Sequence, residues 1–526
     1  MNHADAVVVG AGHNGLVAAI MLARAGRSVV VIERADQPGG AIRTSEVTLP
    51  GFRHDLYATN LNPFMGSRFF EEVGAELFDL GFQVDRADHP FASAFPDGSF
   101  VGVSKDKETT AESIRSVSPD DAAAWQRLAT RFARIAPHLF PLLAAPMPSL
   151  SLVRTLLAGR RALGREWPYE LARLAAQSTR DLTETNFESR KMHALVAAWG
   201  MHLDFPPDAP GGALFAFLET FASATHGMTL GRGGARTLVD ALVALLQRYG
   251  GEVVCDAEVE RIRVHGGRAV GVDVRGGESY RASTVIANVT PTVLARLVDP
   301  TLLGPEVQRY RYAPGTLMVH LALDDLPAWR AGAELRRYAY VHVGPYLEDM
   351  SLAYVRAVAG LLPERPTLVV GQPTAVDPSR APHGKHVLWI QVRVLPATIR
   401  GDAAGEIDAL DWDAAKEPYA ERVISQVEEL APGLRERILG RHVISPADLE
   451  RANPNLVGGD HLAGSMQPAQ YYFLRPLPGW SRYQTPIVGL HVCGASTWPG
   501  AGVGAGSGYL LGKALTKPRR ARRRAA

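Results

Sequence analysis

Ala6-Val-Val-Val-Gly10-Ala11-Gly12-His13-Asn14-Gly15 is the stretch that decides the fold. It runs into a helical segment ending near Gly26 and then into Val29-Val-Val-Ile-Glu33. A second glycine signal follows in Arg34-Ala-Asp-Gln-Pro-Gly39-Gly40-Ala-Ile-Arg43-Thr44. A G-x-G-x-x-G pattern alone is weak evidence. Here it lies between a β-branched strand and a helix, and an acidic residue closes the next strand, which is the context that a dinucleotide fold requires. Gly10 allows the tight turn, and Gly12, with Ala11 and Asn14 beside it, lets backbone approach a pyrophosphate at the helix N-terminus. Gly15 lets helix and strand pack closely, and Glu33 can accept from a ribose hydroxyl. These residues predict a bound dinucleotide.

Two later segments carry related patterns. One starts at Gly231-Arg-Gly-Gly-Ala-Arg-Thr237 and enters an amphipathic helix from Leu238 to Tyr249. Strand-like runs bounded by glycine pairs follow, through Val259, a Gly266-Gly267 hairpin turn and Ser283-Thr-Val-Ile-Ala-Asn288. The other is Gly489-Leu-His-Val-Cys-Gly494-Ala495, continuing through Gly502, Val503 and Gly508 into a helix. A strand feeding a glycine-rich helix start turns bare N–H groups toward an anionic or electron-rich ligand. The reading is an α/β fold in which a Rossmann-like dinucleotide-binding domain is assembled from residues 1–60, 226–300 and 483–517. Residues 61–225, helix-rich with proline breaks around Pro137, Pro141, Pro146 and Pro148, and residues 301–482 form a discontinuous α+β cap. Residues 518–526 form a basic tail.

Composition narrows the class. With 46% hydrophobic and 21% charged residues the chain reads as an ordinary globular protein. Lys517, Arg519, Arg520, Arg522, Arg523 and Arg524 hold the positive charge, leaving the body mildly acidic, which argues against nucleic-acid binding. Cys255 and Cys493 form neither a C-x-x-C pair nor a metal cluster, so disulfide-reductase chemistry is disfavoured and no metal site is expected. The first strand leaves no room for a secretory signal, and no apolar run spans a bilayer, so a cytoplasmic, non-integral protein is expected. Residues 137–167 mix apolar runs with Arg160, Arg161, Arg165 and Trp167, a pattern consistent with either an interfacial membrane element or a buried cap helix.

Taken in this order, the three glycine segments resemble the two-dinucleotide-binding-domain flavoproteins, most closely the phytoene dehydrogenase-related branch with its carotenoid desaturases, carotenoid ketolases and retinol saturases. The resemblance implies FAD. It places Glu33 on the adenosine ribose, Gly39-Gly40 along the pyrophosphate, the Val259 backbone against adenine, and the Gly494-to-Gly508 loop, with Ala495, Gly502 and Val503, toward the flavin. Arg34, Thr44 and Asn288 join the candidate cofactor-binding set. The segment Gly51-Phe-Arg-His54-Asp55-Leu is similar to the family's stretch returning toward the flavin. Ala41 stands where that family often has Arg, which shifts phosphate contact to Arg43 or to backbone. No second G-x-G-x-x-G follows a strand, so electrons are expected to pass to oxygen, a quinone or another acceptor.

The implied activity is hydride transfer from an apolar, polyene or isoprenoid-like substrate to flavin, as in a desaturase. Oxygen insertion, amine or alcohol oxidation on the same scaffold, and a flavin-binding interaction protein are the alternatives. No motif assigns a catalytic residue. His54-Asp55 is the nearest polar pair, but neighbours on an extended segment point to opposite faces, which favours fold-holding hydrogen bonds. His202 with Asp204, and His226, are further polar candidates. Phe215, Phe217, Phe221, Tyr471, Tyr472, Phe473 and Trp480 are equally readable as chamber lining or as cap core.

Overall fold

The structure, a computed structural model, describes residues 2–517; the basic tail at 518–526 lies outside the described residues. At its centre is a five-stranded, all-parallel sheet in the order Glu252–Val254, Val29–Ile32, Ala6–Val9, Thr284–Ala287, Leu490–Val492. Ala6–Val9 is buried at all four positions, as expected for a strand covered on both faces. Its neighbours come from far downstream on one side and from the next strand on the other. The glycine turn therefore leaves the sheet where strand order reverses, the place at which open α/β sheets bind ligands.

The helix His13–Arg24 is gripped by two others, Arg236–Arg248 and Gly506–Thr516. The last of these comes unusually close, because a Cβ on Gly508 would lie 2.1 Å from the Asn14 carbonyl oxygen and one on Gly512 would lie 2.4 Å from Met21 Cβ. Beside the parallel sheet stands a four-stranded one in which Val259–His265 and Arg268–Val274 form a hairpin. Its turn residues Gly266 and Gly267 have φ of 57° and 72°, the conformation that a two-residue hairpin demands.

The cap differs from the sequence reading in two respects. Within the helix-rich residues 61–225, Phe91–Ala94 and Phe100–Val103 are strands that join the second insertion in a seven-stranded sheet. Four-residue strands are too short for alternation to show against the surrounding helical periodicity. Pro137 and Pro141 do not break the chain either, and both lie inside the helix Pro119–Leu143. Pro137 and Ala133, whose carbonyl it deprives of a partner, are exposed, so water can satisfy that oxygen.

Alternation in the seven-stranded sheet sorts its side chains. Leu317, Val319, Val341, Ile390 and Val392 pack against Trp412, Tyr419 and Val423 of the helix Trp412–Glu428. Met318, Tyr340, Val369 and Trp389 face the cap helices. The second face, the cap helices and the glycine loop after Cys493 surround the candidate site.

Candidate functional site

A single cleft gathers residues from all three glycine segments: Gly10, Gly12, Asn14, Glu33, Arg34, Gly40, Arg43, Val259, Asn288, Gly494 and Ala495 all line it. Glu33 is fixed at its edge, one carboxylate oxygen accepting from the Ala11 N–H at 2.7 Å and the other from the Ala35 N–H at 2.9 Å. Gly39 lies just behind, donating its N–H to the Ala11 carbonyl at 3.0 Å. The two glycine turns almost touch, since a Cβ on Gly40 would stand 3.3 Å from Gly12 Cα. No side chain caps the helix that starts at His13, so its orphan N–H groups remain for a ligand's phosphates.

Six of the candidate residues, Ala11, Gly15, Gly39, Thr44, Gly502 and Val503, do not line this cleft. Thr44 donates its hydroxyl to Asp55 at 2.7 Å and accepts the Arg236 N–H at 3.1 Å. Val503 is buried in the core around the parallel sheet. Gly502 reaches the His13 imidazole through its backbone, and burial drives that imidazole down to about 4. Gly15 lies beneath the turn, where an added Cβ would be 2.5 Å from the Gly10 carbonyl oxygen and 2.8 Å from Asn288 Nδ2.

Asn288, one of the candidate cofactor residues, joins the first segment to the third. Its Nδ2 donates to the Gly10 carbonyl at 3.2 Å, and the Cys493 thiol reaches its Oδ1 at 3.7 Å. A Cβ on Gly494 would lie 2.7 Å from that same oxygen. A continuous cradle of bare backbone along one extended cleft fits FAD.

Residues 15–506 match the family described as flavin containing amine oxidoreductase. The chain belongs to this family. It is an FAD-dependent oxidoreductase. Among similar proteins is the rat "Pyridine nucleotide-disulfide oxidoreductase domain-containing protein 2", 30% identical over 95% of this chain and 91% of that protein. The "Phytoene desaturase (neurosporene-forming)" of Cereibacter sphaeroides is 25% identical over 99% of this chain and 96% of its own. The "zeta-carotene-forming phytoene desaturase" of Myxococcus xanthus is 28% identical over 94% and 90%. The phytoene dehydrogenase-like resemblance read from the glycine segments thus extends over nearly the whole chain.

Beyond the cleft, aromatic side chains make a wall against the flavin-family loop. Phe205 stacks on Phe215 at 5.1 Å, Phe215 meets Tyr471 at 5.3 Å and Tyr471 meets Trp498 at 5.4 Å. The other aromatic candidates have different places. Phe217 and Phe221 pack on Phe132 in the cap core, Trp480 belongs to the core beside the four-stranded sheet, and Phe473 is exposed.

A polar cluster adjoins this wall. Arg393 donates to His202 Nδ1 at 3.1 Å and bonds His461, which lines the cleft, while His202 and His342 meet at 3.1 Å. Burial without a carboxylate partner brings Arg393 down to about 9, and burial with Arg393 nearby holds His342 at about 3. The three histidines are therefore neutral at physiological pH. Val394, next to Arg393, has φ of 66°, a strained conformation for a β-branched residue, at an irregular step in strand register. The irregularity sets the direction of Arg393.

His54 and Asp55 divide as the extended backbone requires. Asp55 accepts from Arg380 and the Ala235 N–H in buried contacts and from Thr44 in a partly buried one, and these hold the fold. His54 Nε2 lies 2.8 Å from the Thr48 hydroxyl, and burial keeps the ring neutral with a pKa near 3. His54→Ala is expected to leave kcat within about twofold of wild type, because a buried imidazole bonded to Thr48 and held near 3 is a weak base at neutral pH; steady-state turnover measures this.

Proposed function

We propose that this oxidoreductase takes hydride from an apolar, isoprenoid-like substrate, as a desaturase does. The observation carrying this reading is the wall of Phe205, Phe215, Leu462, Met466, Tyr471 and Trp498, which packs as one apolar cluster beside the loop that carries Gly494. Charges near it are already engaged. Asp204 bonds Ser465 and Tyr354, Asp460 accepts from the Ala313, Leu462 and Gly464 N–H groups, and Arg475 donates to the Ser465 and Ala495 carbonyls. A hydrocarbon meets little unpaired polarity there. The names of the two phytoene desaturase relatives point to the same class.

In this reading the cradle residues Gly10, Gly12, Glu33, Gly40, Asn288 and Gly494 hold the dinucleotide, and bound FAD supplies the two-electron, hydride-accepting chemistry. The chain's own residues orient the substrate and keep water out. Electrons then leave to oxygen, a quinone or another acceptor. Anaerobic mixing of the holoenzyme with linear and cyclic isoprenoids is expected to bleach the flavin and yield a product two hydrogens lighter by mass. Bleaching by primary amines alone would overturn the substrate class.

Substrates of this kind partition into membranes, and the helix Leu150–Leu163 is suited to the surface of one. Leu150, Val153 and Leu157 are exposed at 77%, 50% and 47% and share a face, with Arg154, Arg160 and Arg161 on the same helix. Trp167 plays no such part, being buried against Gly159. The inner side of this helix reaches the aromatic wall through Leu152. No helix among the described residues is long and apolar enough to cross a membrane. The variant L150E/V153E/L157E is expected to weaken binding to anionic vesicles by on the order of tenfold or more, since each exposed Leu or Val side chain can contribute about 1.5–3 kcal/mol when buried in lipid. Flotation with retained flavin absorbance measures this, and unchanged flotation would remove the membrane from the account.

A further inference from the structure

The contacts already described give the cleft an order. Glu33 marks its ribose end, and the Ala11 N–H bonded to Glu33 leads to the helix start at His13, where a pyrophosphate sits. Asn288 carries the wall onward, bonding the Gly10 carbonyl at 3.2 Å and packing against Gly494. Residues 494–496 therefore line the end left for the redox-active half of an extended dinucleotide. Arg475 Nη2 donates to the Ala495 carbonyl at 2.7 Å and to the Gly464 carbonyl at 3.3 Å, which holds the 461–464 turn against this loop. His461 and Ala463 line the cleft from that turn.

His461 is fixed from behind. Its Nδ1 lies 2.7 Å from Thr316 Oγ1, and its Nε2 accepts from Arg393 Nη1, so the proton is on Nδ1 and the ring is neutral. Arg393 is 7% exposed and spends its other bonds on the His202 carbonyl at 3.3 Å and His202 Nδ1 at 3.1 Å. Among the described residues its Nε has no partner and no carboxylate forms an ion pair with it. The nearby carboxylates are turned elsewhere. Asp460 accepts from three backbone N–H groups, and Asp204 bonds Ser465 and Tyr354 within electrostatic reach of Arg475. An uncompensated buried cation destabilises a fold, and so does the φ of 66° at Val394 beside it. Strain and desolvation kept together in this way mark a functional position.

We propose that Arg393, acting through His461, is a positioning residue that sets the electron affinity of FAD: its unpaired charge, one imidazole ring behind the cleft wall, favours the cofactor that has taken up hydride. Hydride brings two electrons and one proton, so FAD gains one net negative charge. A unit charge about 10 Å from another, in protein of effective dielectric about 20, shifts such an equilibrium on the order of tenfold. The effect concerns the cofactor and holds whichever substrate gives the hydride, so it is independent of the desaturase reading.

Anaerobic titration of the holoenzyme against redox dyes of known potential tests this without substrate. R393Q is expected to keep one FAD per chain and to lose about tenfold in the equilibrium constant for two-electron reduction, a shift of about 30 mV. R393K retains the charge and should stay within about threefold of wild type. H461E sets a carboxylate against Arg393 while the guanidinium stays in place, and H461Q is its uncharged counterpart. H461E is expected to fall about tenfold below H461Q, a comparison that serves even where R393Q does not fold. Equal reduction equilibria in wild type and R393Q, or in H461E and H461Q, would overturn the proposal. An R393K as impaired as R393Q would overturn it too, because charge would then not be the cause.

Discussion

Gly15→Val is expected to yield a protein that no longer retains FAD, its affinity lowered by about 100-fold or more. The position lies under the first glycine turn, and even a Cβ there would come within 2.5 Å of the Gly10 carbonyl oxygen and 2.8 Å of Asn288 Nδ2. Neither neighbour can yield independently. The Gly10 carbonyl belongs to the turn itself, and Asn288 is tied to that carbonyl and approached by Cys493. Overpacking of this kind typically costs about 1–3 kcal/mol. Here the cost falls on the geometry that binds the pyrophosphate, and about 2.7 kcal/mol corresponds to 100-fold in affinity. Fluorescence titration of the apoprotein with FAD provides the measurement. Gly66→Ala serves as the control: φ at Gly66 is −85°, the nearest atom to an added Cβ is the Asn62 carbonyl oxygen at an ordinary 3.5 Å, and FAD binding should be unchanged.

Arg380→Leu is the second large effect. Arg380 is fully buried and donates to Asp55 at 2.7 Å, Asp377 at 3.1 Å and the Gly231 carbonyl at 2.6 Å. Asp55 also accepts from Ala235 N–H at 2.8 Å, and Asp377 accepts from Gly233 N–H at 2.6 Å. The guanidinium thus ties a cap segment to the glycine turn at Gly231–Gly234 and to the chain returning from the first nucleotide segment. Its removal leaves two buried carboxylates without their cation, a loss of about 3–5 kcal/mol. Urea unfolding should show this as a lower midpoint at unchanged slope, and a loss below about 1 kcal/mol would contradict the role. Arg380→Lys keeps the charge but not the fork, and is expected to recover only part of the stability.

The parts of this molecule that were legible in sequence are those in which backbone does the binding. Glycines at Gly10, Gly12, Gly39, Gly40 and Gly494 mark close approach, and β-branched runs such as Val29–Ile32 mark the strands beside them. Glu33 was readable because it ends a strand at the right distance. Side chains that act over long separations left no such trace. Asn288 was in the candidate set, but its packing against Gly10, Gly15 and Gly494 could not be read before those three segments were folded around it. Arg393 depends on a register irregularity at Val394 that no periodicity announces. Thr44 belonged to the right segment, but its hydroxyl serves Asp55 rather than the cleft. The short strands Phe91–Ala94 and Phe100–Val103 were hidden because only their pairing with a sheet built over 200 residues later stabilises them.

The central claim is that three distant glycine segments form one cradle for FAD. Heat denaturation of the purified protein, with chromatography of what it releases, tests this most directly. The account predicts a yellow protein that releases one intact FAD per chain. A colourless protein that takes up no FAD, or one that releases a different dinucleotide, would contradict it.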